Sequence, residues 1–436
     1  MLDKAAPDHP VMIQAWAPVL PNVVAFNSLA LERLGIDEST PDRVENVWIK
    51  KDDSGRPTGI LNGSVTTYYN GDPYFEELQT KMPPLIQEDV LPAAHGAAMA
   101  RYQALGITSI FEAHEMDISQ VEAYKFLHRN GWLGLRVMVS HTLEITSMPA
   151  PTKTMEDIEA TLQHALADRS VDDDWFRVDT ITVCGYGPAG CGRQLWRRGY
   201  KDSWGGTAYG VRQTDEEKVR YAIDWCLKHG LALNIMTAAP DEHDEYLEWV
   251  PESMRVHGID KVDWMLQHGL MMQPEQVRKF ADLGFDITVS AGFTAGKGDM
   301  IADRIGEDAV EWLNPFRDFI DSGMAVAAST DWGPADPFGQ MWMALTHTMY
   351  PSGKTNLGRA QKVTREEAFD MWTRGGAEVL HWQGIGSLET GSFADAVIVD
   401  RNPISCELDE LPHTKVLGTI LGGRVVYDGG FFAPQS

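Results

Sequence analysis

The order of apolar and polar positions divides the chain into three parts. Residues 1–85 hold short β-compatible runs separated by turns, with a hairpin predicted over 47–61 and a short helix over 27–34. Over residues 86–381, amphipathic helical segments alternate with short apolar runs. From residue 382 onward, glycine and proline separate short predicted strands at residues 386–388, 396–399, 416–421 and 425–427. Helices that alternate with short apolar strands are typical of a parallel α/β sheet. We therefore predict a loop-rich β insertion over 1–85, a (β/α) barrel over 86–381 and a small β unit over 382–436.

The barrel segment contains fewer predicted strands than a closed barrel needs. Its apolar runs predict seven strands, at residues 107–111, 135–140, 178–183, 231–236, 263–267, 285–290 and 325–328. Helices are predicted at residues 86–105, 121–130, 155–167, 214–229, 241–256, 274–283 and 308–322. A capping box, Thr214-x-x-Glu217, marks the start of one of them. Closed barrels of this type have eight strands, so one strand either lies unrecognised in residues 1–85 or is absent.

The last predicted barrel strand ends in a carboxylate. Residues 325–328 are apolar, and the chain then becomes polar up to Asp331 and breaks at Gly333-Pro334. Barrels present their functional side chains at the C-terminal ends of their strands. We therefore predict that Asp331 is a functional acid. Asp336 directly precedes Pro337, which is typical of a helix N-cap instead.

Other polar side chains stand at or just after the predicted strand ends. They are Glu112, His114, His141, Cys184, Asp241, Glu242, His243, His268 and Ser290. Imidazole and carboxylate groups together suit zinc, iron or manganese, and a bound ion can generate hydroxide near neutral pH. The pattern therefore indicates a metal site at one end of the barrel. The simpler alternative is that each lone histidine has a structural role.

Composition and charge narrow the choice of partners. The net charge of −26 disfavours binding to nucleic acid or to an anionic membrane surface. The four cysteines are too few for a disulfide framework, and Cys184 and Cys191 lack the spacing of a zinc ribbon. We expect no signal peptide at Met1 and no membrane-spanning segment. The chain is therefore expected to be cytoplasmic and to act on a small molecule, with no nucleic-acid or membrane partner.

One glycine motif matches a dinucleotide fingerprint only by its spacing. Gly185, Gly187 and Gly190 follow a predicted strand, but Pro188 interrupts the motif and no helix is predicted after it. The loop over 185–210 is rich in arginine and tryptophan. We therefore predict a loop that covers a pocket rather than a nucleotide site.

The candidate substrate contacts follow from the same positions. They are Trp204 in the covering loop, Trp332 after the last barrel strand, and Glu112 after the first. The tryptophans indicate an apolar or aromatic pocket. Their residue types alone do not identify the substrate.

Several motifs resemble those of a known family. In the last third they are Val363-Thr-Arg-Glu-Glu-Ala, Gly375-Gly-Ala, Ile385-Gly-Ser-Leu-Glu-Thr-Gly-Ser-Phe-Ala-Asp-Ala-Val-Ile-Val-Asp400 and Gly418-Thr-Ile-Leu-Gly-Gly-Arg-Val-Val-Tyr-Asp428. Upstream they are Phe26-Asn-Ser-Leu-Ala-Leu, Arg56-Pro-Thr-Gly-Ile-Leu, Gly106-Ile-Thr-Ser-Ile, Leu266-Gln-His268 and Ser329-Thr-Asp331-Trp. Together they resemble the amidohydrolase superfamily, and within it the amidohydrolase-3 group, which is similar to the N-substituted formamide deformylases.

The resemblance implies a TIM-like barrel with a partial β-sandwich at the C-terminus. It also implies hydrolysis of a carbon–nitrogen bond, other than a peptide bond, in a small amide or cyclic substrate by water activated on a divalent metal, with zinc the expected ion. In that scheme Asp331 carries the proton from the water to the leaving nitrogen. His268 either binds the metal or polarises the substrate carbonyl.

The chain departs from the family at its other metal-ligand positions. The family's first strand carries a His-x-His pair, and this sequence contains no such pair. The residues at the family's fourth-, fifth- and sixth-strand positions are Thr182, Met236, Met265 and Gln267. A catalytic zinc usually has three protein ligands, so the metal site is incomplete. A relocated metal site is one way to restore it, built from His114, His141, His268 and Asp331.

Three interpretations therefore stay open from the sequence. The chain is a metal-dependent hydrolase, or a metal-free or non-catalytic relative that binds a small ligand in the same pocket, or the product of a truncated reading frame whose upstream part carries the first strand. A barrel without that strand would expose an edge and apolar surface, so self-association into a homo-oligomer is also expected.

Overall fold

The structure is a computed structural model that describes residues 1–15, 19–83, 90–148, 150–331, 333–356, 358 and 362–432. The chain divides into two compact units. The N-terminal unit comprises Met1–Gln87, Ile145–Pro151 and Tyr186–Gln213, and the barrel unit comprises Glu88–Glu144, Thr152–Gly185 and Thr214–Ser436. No helix within the described ranges is long and apolar enough to cross a membrane.

The N-terminal unit is built on an antiparallel sheet. Over its described residues, five strands lie in the order β1-β2-β5-β4-β3. They are β1 (Met12–Gln14), β2 (Asn22–Phe26), β3 (Arg43–Val44), β4 (Val47–Lys51) and β5 (Pro57–Gly63). The helices of this unit are α1 (Leu2–Ala5), α2 (Ser28–Leu34) and α3 (Pro73–Thr80). The pairing of β4 with β5 confirms the predicted hairpin, and Asn27 caps the predicted short helix α2.

From Tyr186 onward, the loop that carries the glycine motif belongs to the N-terminal unit. Its motif runs into a 3₁₀ turn at Ala189–Cys191 and then into a two-stranded ribbon of β9 (Tyr200–Lys201) and β10 (Thr207–Ala208). A dinucleotide fingerprint instead opens an α-helix at its third glycine. The backbone after Gly187 therefore lacks the conformation that dinucleotide binding needs.

The barrel unit contains a curled parallel sheet, as predicted for a TIM-like barrel. Among the described residues the sheet has seven strands in the order β14-β13-β12-β11-β8-β7-β6. They are β6 (Ser109–Glu112), β7 (Arg136–Thr142), β8 (Phe176–Cys184), β11 (Ala232–Thr237), β12 (Met265–His268), β13 (Asp286–Val289) and β14 (Val326–Ala328). Each coincides with one of the strands that the apolar runs predict, so those predictions are confirmed.

Helices alternate with these strands along the chain. They are α4 (Leu91–Ala104), α5 (Ile118–Arg129), α6 (Met155–Asp168), α7 (Glu216–His229), α8 (Pro240–His257), α9 (Pro274–Leu283), α10 (Gly292–Arg304), α11 (Glu307–Glu311), α12 (Phe316–Ser322), α13 (Pro337–Thr346), α14 (Arg365–Asp370) and α15 (Arg374–Val379). Asp336 accepts hydrogen bonds from the backbone N–H groups of Phe338 and Gly339, at 3.1 and 3.0 Å, which confirms it as the N-cap of α13.

Two details of the helix predictions were wrong. Thr214 does not cap α7, because its hydroxyl donates to the carbonyl of Cys184 at 2.9 Å and Asp215 takes the N-cap position. The helix predicted over 308–322 is two helices, since Asn314 has a φ of 60° and Pro315 follows it. In addition, no helix was predicted at the position of α10.

Successive side chains along each strand point to opposite faces of the sheet, so the sheet has two faces with different residues. Side chains such as Ile181, Leu233 and Leu266 pack into the large apolar core that they share with α7, α8 and α9. The residues next to them along each strand, Thr182, Asn234 and Gln267, are also buried. They lie on the opposite, concave face, so this face of the sheet is lined by polar groups.

The segment around α15 covers the β14 edge of the sheet. The backbone N–H of Ala328 donates to the carbonyl of Met371 at 2.8 Å, and a Cβ built on Gly375 would lie 2.1 Å from the carbonyl oxygen of Val326. Val379 packs in one apolar cluster with Ala327 of β14, and Phe111 of β6 packs against that cluster. The segment therefore contacts both edge strands, and among the described residues no eighth strand pairs with either of them.

The C-terminal part holds a small antiparallel sheet. Its strands within the described residues are β15 (Ala396–Val399), β16 (Val416–Leu421) and β17 (Arg424–Asp428), in that order. The predicted strands at these positions are confirmed. The strand predicted at Gly386-Ser387-Leu388 was wrong, because this stretch has no strand hydrogen bonding.

Candidate functional site

The strand ends of β12 and β14 bring His268 and Asp331 together. Nε2 of His268 lies 3.5 Å from Oδ2 of Asp331. The imidazole is 10% exposed and the carboxylate 39% exposed, so the pair is open to a small molecule mainly from the Asp331 side. Both residues follow the C-terminal ends of parallel strands, the position at which barrels hold their reacting groups. The sequence singled out the same two residues.

His268 has an unusual backbone conformation. Its φ is +75°, in the left-handed region, and Gly269 after it has a φ of +53°. Non-glycine residues seldom adopt this conformation, and where they do they are concentrated at active and binding sites. The strand alternation therefore stops at Gln267, and His268 is held in a strained position that favours a functional role.

Burial keeps the His268 imidazole neutral. Loss of water on burial lowers the pKa of His268 to about 4. The nearby negative charge of Asp331 acts in the opposite direction and raises this pKa, but its effect is smaller. The charges of His114 and Lys297 lower the pKa further. Nδ1 of His268 is buried without a hydrogen-bond partner among the described residues. A neutral imidazole carries one N–H group, so we assign it to Nε2, since an N–H on Nδ1 would be a buried donor with no acceptor.

Two residues of α10 complete the surroundings of the imidazole. The ring of Phe293 lies edge-on to His268, with 4.9 Å between ring centroids and 70° between ring planes. Nζ of Lys297 lies 4.6 Å from the centroid of the Phe293 ring. Neither residue was predicted, because Gly292, Gly296 and Gly298 lower the helix propensity of this stretch. The lysine between two of those glycines was the only available signal.

Of the histidines predicted to form a relocated metal site, His141 lies apart from His268 and Asp331. His141 is completely buried, and its Nε2 lies 2.9 Å from Oδ2 of Asp168 at the end of α6. Lys125 of α5 donates to the other carboxylate oxygen of Asp168 at 2.6 Å. His141 therefore faces the helices rather than the concave face. Nε2 of His114 instead lies 2.8 Å from Oε1 of Glu115.

The donor set does not fit a family-type zinc site. Throughout the described ranges, no group of three or more His, Cys, Asp or Glu residues has the arrangement of a metal site. The predicted set of His114, His141, His268 and Asp331 is thus not assembled as one. Zinc sites in enzymes usually have three protein ligands, and the His268–Asp331 pair supplies two.

Neutral polar side chains occupy the concave face beside this pair. Oγ of Ser140 lies 2.7 Å from Oγ1 of Thr182, and Nδ2 of Asn234 donates to Thr182 at 3.0 Å and to Oε1 of Gln267 at 2.7 Å. This hydrogen-bonded row crosses β7, β8, β11 and β12. Hydroxyl and amide groups are weak zinc ligands compared with imidazole or carboxylate. Oδ1 of Asn234 is buried without a hydrogen-bond partner among the described residues. The row carries no charged group, so the charged chemistry is left to His268 and Asp331.

The predicted substrate contacts fall in different surroundings. Glu112 accepts a hydrogen bond from the hydroxyl of Tyr124 in α5 at 3.0 Å, and burial raises the pKa of Glu112. Trp204 belongs to the N-terminal unit, is 43% exposed and packs against Trp48, with 5.6 Å between ring centroids. Trp332 lies outside the described residues. A substrate contact by any of the three stays a prediction.

Comparison with known proteins identifies the family. Residues 1–427 match the sequence model of the Amidohydrolase family. The chain belongs to the amidohydrolase family. The N-substituted formamide deformylase of Arthrobacter pascens is 24% identical over 442 residues, which cover 98% of this chain and 75% of the relative. A second relative of this amidohydrolase chain, the putative amidohydrolase YtcJ of Bacillus subtilis (strain 168), is 21% identical over 446 residues, which cover 98% of this chain and 76% of the relative.

Solved structures of other hydrolases share the amidohydrolase fold. An uncharacterized metal-dependent hydrolase from Pyrococcus horikoshii OT3 has a TM-score of 0.68 at 20% identity, covering 93% of this chain and 74% of that one. The atrazine chlorohydrolase TrzN from Arthrobacter aurescens TC1, complexed with zinc, has a TM-score of 0.52 at 17% identity, covering 78% and 73%. These similarities agree with the curled parallel sheet of this amidohydrolase, which is consistent with a TIM-like barrel.

Proposed function

We propose that this amidohydrolase hydrolyses a carbon–nitrogen bond, other than a peptide bond, in a small amide or cyclic amide. The observation that carries the proposal is the distance of 3.5 Å between His268 and Asp331 at the strand ends of a chain from a hydrolase family. N-substituted formamides, named for one relative, are the first substrates to test.

In the proposed reaction Asp331 carries the proton. Its carboxylate takes a proton from the attacking water as the water oxygen bonds to the carbonyl carbon. The proton then passes to the nitrogen as the carbon–nitrogen bond breaks, which gives a carboxylic acid and an amine. His268, neutral with its hydrogen on Nε2, donates a hydrogen bond to the carbonyl oxygen as negative charge develops there. Because the described donor set does not fit zinc, these steps use side chains of the chain itself.

A second candidate function is binding without turnover. It is favoured by the neutral row from Ser140 to Gln267, in which Thr182 and Gln267 stand at positions where the family resemblance implies charged or metal-binding groups. A chain of this kind would hold a small ligand beside His268 and Asp331 without hydrolysing it.

The purified full chain tests both candidates on a panel of N-substituted formamides, acetamides and cyclic amides. We expect turnover of at least one compound, and Asp331→Asn should lower kcat/KM about 100-fold or more because general-base catalysis contributes on that order. Asp282→Asn, at an exposed position of α9, is the matched control and should leave kcat/KM unchanged. Equal activity of Asp331→Asn and the unchanged chain would contradict the role of Asp331.

Binding and metal measurements separate the candidates. Calorimetric binding of a panel compound without any turnover would favour the second candidate over hydrolysis. Elemental analysis before and after chelation tests whether the chain binds zinc, which the described donor set does not fit. One equivalent of tightly bound zinc, with turnover lost on its removal, would show that the proposed steps at Asp331 and His268 are incomplete.

A further inference from the structure

We propose that Gln340 of α13 is a positioning residue for the His268–Asp331 pair. Its side-chain amide ties the loop that carries Asp331 to the start of α10, which packs against His268. This role rests on the proposed hydrolysis and adds to it the residue that holds the two reacting side chains at their working distance.

The amide of Gln340 bridges two backbone segments. Nε2 donates to the carbonyl of Pro334 at 3.1 Å, and Oε1 accepts from the N–H of Gly292 at 3.1 Å. Gln340 is only 1% exposed, so bulk water does not compete for these bonds. Because one partner is an acceptor and the other a donor, the bridge needs an amide. An ionised carboxylate of the same length could accept from Gly292 but could not donate to Pro334.

Both ends of the bridge lie next to the reacting pair. Pro334 follows Asp331 by three residues on the loop after β14. Gly292 directly precedes Phe293, whose ring lies 4.9 Å from the His268 ring, between centroids. A single buried side chain therefore connects the backbone of the acid to the helix start that contacts the imidazole.

The loop is also fixed before Asp331. The backbone N–H of Ser329 donates to the carbonyl of Val289, in the neighbouring strand β13, at 2.8 Å. The sheet therefore holds the chain two residues before the acid, and Gln340 holds it three residues after. Without the bridge, only the first of these two attachments would stay.

Gly333 shows how closely the three segments approach one another. Its φ is +102°, and a Cβ at this position would lie 3.0 Å from Nε2 of Gln340 and 3.3 Å from Cα of Gly292. Glycine is the residue that tolerates both this conformation and this crowding. The loop after Asp331 therefore packs directly between the amide and the start of α10.

The helix that carries Gln340 begins at a fixed point. Asp336 caps α13, and the backbone N–H of Gln340 donates to the Asp336 carbonyl at 3.1 Å. Gln340 thus stands in the first turns of a capped helix. Reacting groups are held most accurately when their supporting residues lie on rigid elements of this kind.

The reacting pair is sensitive to small movements. Its distance of 3.5 Å, between Nε2 of His268 and Oδ2 of Asp331, is at the upper limit for a hydrogen bond. A displacement of about 1 Å caused by a substitution away from the reacting atoms can lower a rate about 100-fold. Loss of the Gln340 bridge should therefore be visible in kcat.

The kinetic test compares Gln340→Met with Gln276→Met in the full chain. Methionine has nearly the length of glutamine but makes neither hydrogen bond. Gln276 of α9 is a matched control, because it is buried and its Nε2 donates to the Pro240 carbonyl at 2.8 Å and to Oδ1 of Asp244 at 2.7 Å. Both variants should unfold at lower urea concentration than the unchanged chain.

Only Gln340→Met should slow the reaction. On the panel compound that the unchanged chain hydrolyses fastest, we expect kcat per folded molecule to fall about 10- to 100-fold. KM should stay within about twofold, since substrate binding is not what the bridge supports. In the Asp331→Asn background, Gln340→Met should have little further effect, because the two changes act through the same carboxylate.

Nuclear magnetic resonance gives a readout that needs no turnover. The chain is labelled with ¹⁵N in its 13 histidine rings, and the His268 resonances are assigned by their loss in His268→Asn. Gln340→Met should shift these resonances, and Gln276→Met should leave them in place. A merely structural role for Gln340 would not single out His268 in this way.

The outcomes distinguish the role of Gln340 from the proposed function. If the unchanged chain hydrolyses a compound, then equal kcat in Gln340→Met, an equal fall in Gln276→Met, or a full further loss in the Asp331→Asn background would overturn the role of Gln340 and leave hydrolysis intact. If no compound is hydrolysed, the proposed function is wrong. The His268 resonances then decide, since a shift in Gln340→Met alone supports the bridge and no shift overturns it.

A second variant covers a failure of Gln340→Met to fold, which circular dichroism would show. Gln340→Asn keeps the amide but is one methylene shorter, so it cannot reach both backbones while leaving a smaller cavity. It should lower kcat and shift the His268 resonances in the same way. Unchanged kcat and unchanged resonances in this variant would contradict the bridge.

Discussion

His268 and Asp331 approach each other to 3.5 Å, between Nε2 and Oδ2, from two strands that flank β13. The contact joins a buried neutral imidazole to a carboxylate that is partly open to solvent. A donor fixed in the interior beside an accessible base is an arrangement suited to proton transfer at a small substrate. Because the backbone of His268 is strained, a substitution that suits this backbone can lower activity without lowering stability.

We predict that His268→Asn lowers kcat/KM about 100-fold, the scale for loss of one preorganised donor to a developing oxyanion. Asparagine adopts left-handed φ values more readily than most residues, so the free energy of unfolding should change by less than about 1 kcal/mol. Turnover and urea unfolding of the same preparations check both expectations. Retained activity would show that Asp331 works without this imidazole.

The buried His141–Asp168 contact predicts a loss of stability without a loss of function. His141→Asn removes a contact between β7 and α6 and leaves Asp168 and Lys125 to rearrange, so unfolding should become easier by about 1–3 kcal/mol. Activity per folded molecule and metal content should stay as in the unchanged chain, because His141 faces the helices. Loss of metal or of activity in a folded variant would support the relocated site instead.

Two adjacent glycines of α15 provide a matched pair of substitutions. Gly375→Ala would force a Cβ to 2.1 Å from the Val326 carbonyl oxygen, whereas nothing lies within 4 Å of a Cβ on Gly376. We expect Gly375→Ala to destabilise the chain by about 1–3 kcal/mol, as for an overpacked core. Gly376→Ala should be neutral or stabilising by up to about 1 kcal/mol. Similar unfolding midpoints for the two variants would contradict the close packing of α15 on β14.

The pH dependence of stability should reflect His243. This residue is completely buried in α8, and burial lowers the pKa of His243 to about 3. An unfolded histidine has a pKa of about 6.5, so below that value the unfolded state takes up a proton that the folded state does not. Stability from this residue is therefore complete above pH 6.5 and falls as the pH drops towards 3, by up to about 1.4 kcal/mol per pH unit.

Urea unfolding at pH 7, 6 and 5 checks this dependence. His243→Gln should show a shallower loss of stability between pH 6 and pH 5 than the unchanged chain, since glutamine does not titrate. Parallel curves would show that His243 is protonated in the folded state or exchanges with solvent by local opening.

The sequence by itself determined the features that depend on neighbouring residues in the chain. Periodicity placed all the described barrel strands, because a buried strand needs a short apolar run wherever it lies in the fold. Asp336 was recognisable as a cap from the Pro337 that follows it. Asp331 and His268 were found because each directly follows such a run, and the family motifs around them were specific.

Only the tertiary structure decided which of the polar strand-end residues come together. His141 and His268 occupy similar positions in the sequence, yet one bonds to a helix and the other faces Asp331. The difference lies in sheet register and in the left-handed backbone of His268, which strand alternation does not predict. Lys297 was likewise hidden, because its glycine-rich helix is stabilised by close packing, as at Gly298 and Met349, rather than by propensity.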